Sequence, residues 1–186
     1  MNTPNKLTLV RLLTVPFLII ALYIQTKEAL YIALILLLIA WITDILDGHL
    51  AEKRRLITKQ GAFFDPFVDK VLVSFAFIVL GDLNIIPMWL VILMLFRDYV
   101  TQAVRGMAGS KGIILKSEWS GKIKFGLQIA TIIFATFLLA LSHTFEGVKE
   151  WMFTAIFWAM VITTAQAYYA LFEFLYKNRQ EFIRWF

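Results

Sequence analysis

Four aspartates crowd the stretch TDILDGHLAEKRRLITKQGAFFDPFVDK, residues 43–70. Asp44 and Asp47 are three residues apart and Asp65 and Asp69 four apart, spacings that put each pair on one side of a helix. Carboxylates grouped in this way are hard oxygen ligands, the donors that Mg²⁺ takes while it keeps waters and substrate phosphates in its shell. Two such ions can hold a phosphate group and stabilise both its attacking and its leaving oxygen. Asp65 precedes Pro66, a residue suited to the first helical position because it lacks an N–H, so Asp65 reads as an N-cap and a helix is expected to start there. Gly48 and Gly61 leave room for the close approach of a ligand or a neighbouring helix.

A second group is basic. Arg97 and Arg105 are eight residues apart, a spacing that returns to nearly the same helix face, and GKIKFG carries Lys122 and Lys124. Such cations suit an acceptor that bears a phosphate, because arginine grips phosphate with two N–H groups and lysine adds a point charge. The plainer alternatives are that Lys122 and Lys124 only mark a cytoplasmic loop and that Asp98 only neutralises Arg97. Asn5, Thr8 and Arg11 recur at threes near the start, and Gln128 and Gln166 fall in apolar runs, where they are expected to bond between helices.

The elements that must position these groups are set by the solvent. Hydrophobic residues make up 60% of the chain and charged ones 17%, with a mean hydropathy of +0.75, values that point to lipid rather than water as the surroundings. A membrane span takes about 20 largely apolar residues. Six stretches fit: residues 7–25, 29–47, 67–80, 85–104, 125–142 and 151–176. The expected fold is all-α, a polytopic bundle of six transmembrane helices forming one domain over residues 1–186. No small-x-small cleavage site follows the first span, which is expected to be retained. Lys53, Arg54, Arg55 and Lys59, then Arg105, Lys111, Lys116, Lys122 and Lys124, then Lys177, Arg179 and Arg184 fall on alternate connections, against Lys27 and Lys149 on the others. That bias puts both termini and the aspartates on the cytoplasmic side. It also accounts for the net charge of +5 through contact with anionic membrane lipids, with no nucleic acid implied. Absence of cysteine excludes disulfides and thiolate metal sites.

The order Asp-x2-Asp-Gly-x2-Ala, nine residues, Gly-x3-Asp-x3-Asp resembles the signature of the CDP-alcohol phosphotransferase family, filled here by Asp44, Asp47, Gly48, Ala51, Gly61, Asp65 and Asp69. The resemblance implies a six-helix membrane enzyme, usually a homodimer, that transfers a phosphatidyl or similar group from a CDP-activated donor to an acceptor hydroxyl and releases CMP. It also implies roles. Asp44, Asp47, Asp65 and Asp69 would bind metal, two Mg²⁺ ions with Mn²⁺ as an alternative, and Asp69 would also be the general base. Gly48, Ala51 and Gly61 would make room for the cytidine nucleotide. Members commonly have arginine after the alanine, where this chain has Glu52 followed by Lys53, Arg54 and Arg55.

PNKLTLVRLLTVPF, FRDYVTQAVRG and SGKIKFG resemble segments of bacterial phosphatidylglycerophosphate synthases, members of which often have glutamate at the position of Asp98. That narrower resemblance implies CDP-diacylglycerol as donor and sn-glycerol 3-phosphate as acceptor. Arg97, Arg105, Lys122 and Lys124 would bind the acceptor phosphate, at the cytoplasmic face of a bacterial inner membrane. Two alternatives stand beside it: another acceptor, such as inositol phosphate, serine or phosphatidylglycerol, and a divalent-cation transporter. Transporter sites tend to lie at the bilayer midplane in a repeated architecture, whereas this chain shows no repeat and gathers its carboxylates towards one surface.

Overall fold

The computed structural model describes the backbone of residues 3–54, 61–110 and 119–179, and the side chains of those residues apart from 3–10, 44–54, 61–67, 69 and 122. Arg55, Lys59, Lys111, Lys116 and Arg184, counted above for orientation, lie outside it. Among the described residues six helices follow one another: α1 (Thr3–Ile24), α2 (Lys27–Arg54), α3 (Gly61–Asp82), α4 (Met88–Ser110), α5 (Trp119–Ser142) and α6 (Gly147–Lys177). Each apolar stretch became one helix, and among the described residues there is no strand.

Local chemistry sets several ends. Thr26 caps α2, its Oγ1 accepting the Ala29 N–H at 3.3 Å. At the end of α3 the Asn84 N–H bonds the Gly81 carbonyl at 3.0 Å and the Ile85 N–H the Leu80 carbonyl at 2.9 Å. These are the two bonds of a Schellman end, with Asn84 in the left-handed region at φ 57° that asparagine tolerates. One expected start is corrected: α3 begins at Gly61, four residues before Asp65, so Asp65 is no N-cap. Pro66 lies within the second turn, where it removes one N–H from the ladder and the helix continues on either side. The correction places Gly61, Asp65 and Asp69 on a single stripe at intervals of four.

The helices run alternately up and down. Tyr23 Oη donates to Asp82 Oδ2 at 2.8 Å, which joins the C-terminal ends of α1 and α3. The Arg105 guanidinium lies 5.1 Å from the centre of the Phe174 ring, which joins the C-terminal ends of α4 and α6. Thr131 and Thr163 hydroxyls meet at 2.6 Å midway along α5 and α6. One end of the bundle therefore collects the starts of α1, α3 and α5 and the ends of α2, α4 and α6. Helix α1 packs on α2 and α3, and α5 packs on α2, α3 and α6.

Polarity is inverted relative to a protein in water. The interior contains Arg97, Asp98, Lys124 and Gln128 beside Phe77, Leu80, Ile132, Ile156 and Met160. The outside carries apolar stripes such as Leu13, Phe17, Ile20 and Ile24 on α1 and Trp89, Ile92, Phe96 and Tyr99 on α4. Among the described residues, Trp119–Ser142 and Val148–Lys177 are long and apolar enough to cross a membrane. These features fit an integral membrane protein.

Phe77 is fully buried. Phe77→Ala is expected to destabilise the bundle by about 3 kcal/mol, the lower part of the range for such truncations, because lipid already solvates the separated helices and packing is what is lost. Thermal unfolding in detergent micelles measures it.

Candidate functional site

Asp44, Asp47, Gly48 and Ala51 lie in the last three turns of α2, and Gly61, Asp65 and Asp69 in the first three turns of α3. The side chains of all seven lie outside the described residues; their place along the backbone is what the structure supplies. Arg11 locates that place in the bundle. It is buried in α1, and it lines a small cavity with Ala40 and Trp41 of α2, Leu72 and Val73 of α3, and Phe125 and Ile129 of α5. Ala40 is one turn before Asp44, Val73 one turn after Asp69, and Phe125 directly follows Lys124. The acidic segments and the start of α5 thus belong to the same end of the molecule.

The basic group is resolved in more detail, and its centre is an acid. Asp98 of α4, 8% exposed, accepts three hydrogen bonds. Arg97 Nη1 donates to Oδ1 at 3.0 Å, Lys124 Nζ of α5 donates to Oδ1 at 2.7 Å, and Gln128 Nε2, one turn further along α5, donates to Oδ2 at 2.9 Å. A carboxylate taken out of water costs several kcal/mol, which two cations and an amide at hydrogen-bond distance offset. The sequence explains the convergence: Lys124 and Gln128 are four apart and so face α4 together. Gln128 therefore does bond between helices. Asp98 does pair with Arg97, and it also reaches across to α5. Arg97 keeps a further donor, since its Nε is buried with no hydrogen-bond partner among the described residues.

Among the described residues two more cations lie around this knot. Lys70 of α3, the residue after Asp69, donates from Nζ to Gln102 Oε1 of α4 and is within electrostatic reach of Asp98, Lys124, Arg105 and Arg97. Arg105 is more exposed, rests on Phe174 and also feels Arg97. Arg97, Arg105 and Lys124 are thus brought together; the side chain of Lys122 lies outside the described residues. Sequence reasoning undervalued Lys70 and Asp98. Its signal was available, because an ionised residue inside an apolar run demands a partner, but which helix supplies that partner depends on packing that no local pattern encodes.

Residues 1–172 match the CDP-alcohol phosphatidyltransferase family. The chain is similar to the CDP-diacylglycerol–glycerol-3-phosphate 3-phosphatidyltransferase of Bacillus subtilis, 34% identical over 143 residues that cover 70% of this chain and 74% of that protein. A protein of the same name from Sodalis glossinidius is 28% identical over 187 residues, 97% of both chains. The "Probable phosphatidylglycerophosphate synthase" of Mycobacterium tuberculosis is 36% identical over 144 residues, 76% of this chain and 68% of that one.

Removing one cation from the knot leaves a buried carboxylate short of compensation. Lys124→Met is expected to cost about 3 kcal/mol of stability, the low end for breaking a buried ion pair because Arg97 and Gln128 remain in place. A fall in the melting temperature in detergent checks it.

Proposed function

The chain belongs to the CDP-alcohol phosphatidyltransferase family, and from that premise we propose that it transfers a phosphatidyl group from CDP-diacylglycerol to sn-glycerol 3-phosphate, giving phosphatidylglycerophosphate and CMP. The relatives' names carry donor and acceptor. The observation that supports a phosphorylated acceptor in this chain is the gathering of Arg97, Lys124, Arg105 and Lys70 around one carboxylate. Such a group has more positive than negative charge among its described members and fits a phosphate dianion.

Asp44, Asp47, Asp65 and Asp69 are the residues that would hold divalent metal. The donor set fits: all four offer hard oxygens, and they fall in the last turns of α2 and the first turns of α3, the two helices that flank one connection. Mg²⁺ is our choice, as two ions, with Mn²⁺ as the alternative. When bound, the metal neutralises the negative charge of the donor's diphosphate and of the departing CMP. Asp69 is the proposed general base. It takes the proton of the acceptor hydroxyl while the hydroxyl oxygen forms a bond to the phosphatidyl phosphorus; the diphosphate bridge breaks and CMP leaves with the bonding electron pair. Gly48, Ala51 and Gly61 make room for the cytidine nucleotide, and Lys53 or Arg54, beside Glu52, stands in for the arginine found in other members. Arg97, Arg105, Lys122 and Lys124 form the acceptor-phosphate pocket.

The six helices are read as six spans of one domain with both termini cytoplasmic, on the strength of the basic bias and the up-and-down arrangement. The site would then face the cytoplasm from a bacterial inner membrane. A homodimer is the expected functional unit.

Purified protein supplied with CDP-diacylglycerol and Mg²⁺ is expected to release CMP with glycerol 3-phosphate, and not with serine, inositol phosphate or phosphatidylglycerol. Turnover with one of those instead would replace the acceptor. Chelation should stop the reaction and added Mg²⁺ restore it. Asp69→Asn should lower kcat by on the order of 10³-fold while the melting temperature stays near wild type; retained turnover would remove the base from Asp69. Arg105→Ala should raise the KM for glycerol 3-phosphate by about tenfold and leave the KM for the donor unchanged.

A further inference from the structure

Asp98 has a negative charge in a pocket assigned to an anion, the opposite of what attraction alone would select. Two roles are open to it. It could dilute an excess of positive charge, or it could hold the cations in place at some electrostatic cost. The geometry separates the two. A carboxylate that only diluted charge would need proximity, whereas Asp98 has both oxygens committed: Oδ1 to Arg97 and Lys124 at 3.0 and 2.7 Å, Oδ2 to Gln128 at 2.9 Å. The neutral amide does nothing to the charge balance. It fixes the orientation of the carboxylate, and the carboxylate fixes the tips of two long side chains that come from different helices. Lysine and arginine each lose up to about 2 kcal/mol of rotamer freedom when immobilised, and here that ordering is complete before any ligand arrives.

We infer that Asp98 is a positioning residue for acceptor binding: it clamps Arg97 and Lys124, with Gln128 as its own support, so that the acceptor phosphate meets a preformed wall. The inference rests on the acceptor reading above. Arg97 has one arm held by Asp98, and its Nε is a buried donor with no hydrogen-bond partner among the described residues, available to an anion. Lys70 and Arg105 lie outside the clamp and are less buried than Arg97 and Lys124.

The test is steady-state kinetics of the full-length protein in mixed micelles, with each substrate varied in turn, for wild type, Asp98→Asn, Asp98→Glu and Gln128→Leu. A KM is independent of the fraction of enzyme that is folded, so loss of stability alone does not move it. Positioning predicts that Asp98→Asn raises the KM for glycerol 3-phosphate about tenfold or more and leaves the KM for CDP-diacylglycerol unchanged. Asp98→Glu, which keeps the charge and both acceptors on a longer arm, should fall between wild type and Asp98→Asn. Gln128→Leu removes only the support and should raise the acceptor KM by about threefold. Charge dilution predicts the opposite sign, because an added net positive charge tightens anion binding, so a lowered or unchanged acceptor KM in Asp98→Asn overturns the inference. If Asp98→Asn does not fold, Gln128→Leu decides in the same way, an unchanged acceptor KM counting against. A wild-type protein that releases CMP with no dependence on glycerol 3-phosphate overturns the acceptor reading itself, an outcome distinct from a wild type that turns over and a variant that binds acceptor normally.

Discussion

A charge inside a low-dielectric bundle must have its counter-charge within reach, and much of the arrangement around the site follows from that one requirement. A single ionised residue near the middle of a span costs about 3 kcal/mol on insertion scales. Asp98 and Arg97 are each buried to within a few per cent, and the bundle tolerates them because α5 brings Lys124 and Gln128 to the same point. The same contact ties α4 to α5 where the apolar core alone would leave their relative rotation loosely defined, since lipid tails solvate a leucine as well as another helix does.

The constraint also sorts the two signs of charge. Carboxylates occupy the end of α2 and the start of α3, and cations the middle and far half of α4 and the start of α5, towards one end of the bundle. Lys70 follows Asp69 directly on α3 and bonds to Gln102 of α4, so one helical turn carries the seam between the acidic and the basic halves. That adjacency has a chemical sense. On the proposed reading, the donor's diphosphate would be met by metal on the acidic side and the acceptor's phosphate by cations on the basic side. A polyanionic pair of substrates can share one cleft only if each finds compensation on its own side.

Much of this was legible in the sequence, for physical reasons that differ by feature. Each helix was visible because a long apolar run is read along the chain itself, a signal that needs no knowledge of neighbours. The aspartate spacing was visible because helical periodicity is local. The start of α3 was misread: Asp65 before Pro66 has the look of an N-cap, yet the upstream residues from Gly61 continue the helix and the proline costs it only one backbone bond near its beginning. Asp98 was half read. Its neighbour Arg97 is adjacent in the chain, but Lys124 is 26 residues away and Gln128 30, and the choice of partner is made by the packing of α4 on the rest of the bundle.

That choice bears on what kind of protein could own such a site. A cation transporter would present acids to its ion along a path and keep basic side chains away from it. Here the end of the bundle that holds the four motif aspartates also holds Arg11, Lys70, Arg97, Arg105 and Lys124, several of them buried at considerable cost. Cations buried at that cost close to the acidic segment would repel the cargo of a transporter. They become favourable once an anion is to be held there as well, and a reaction that joins a phosphorylated alcohol to a diphosphate-activated lipid is one that requires both signs side by side.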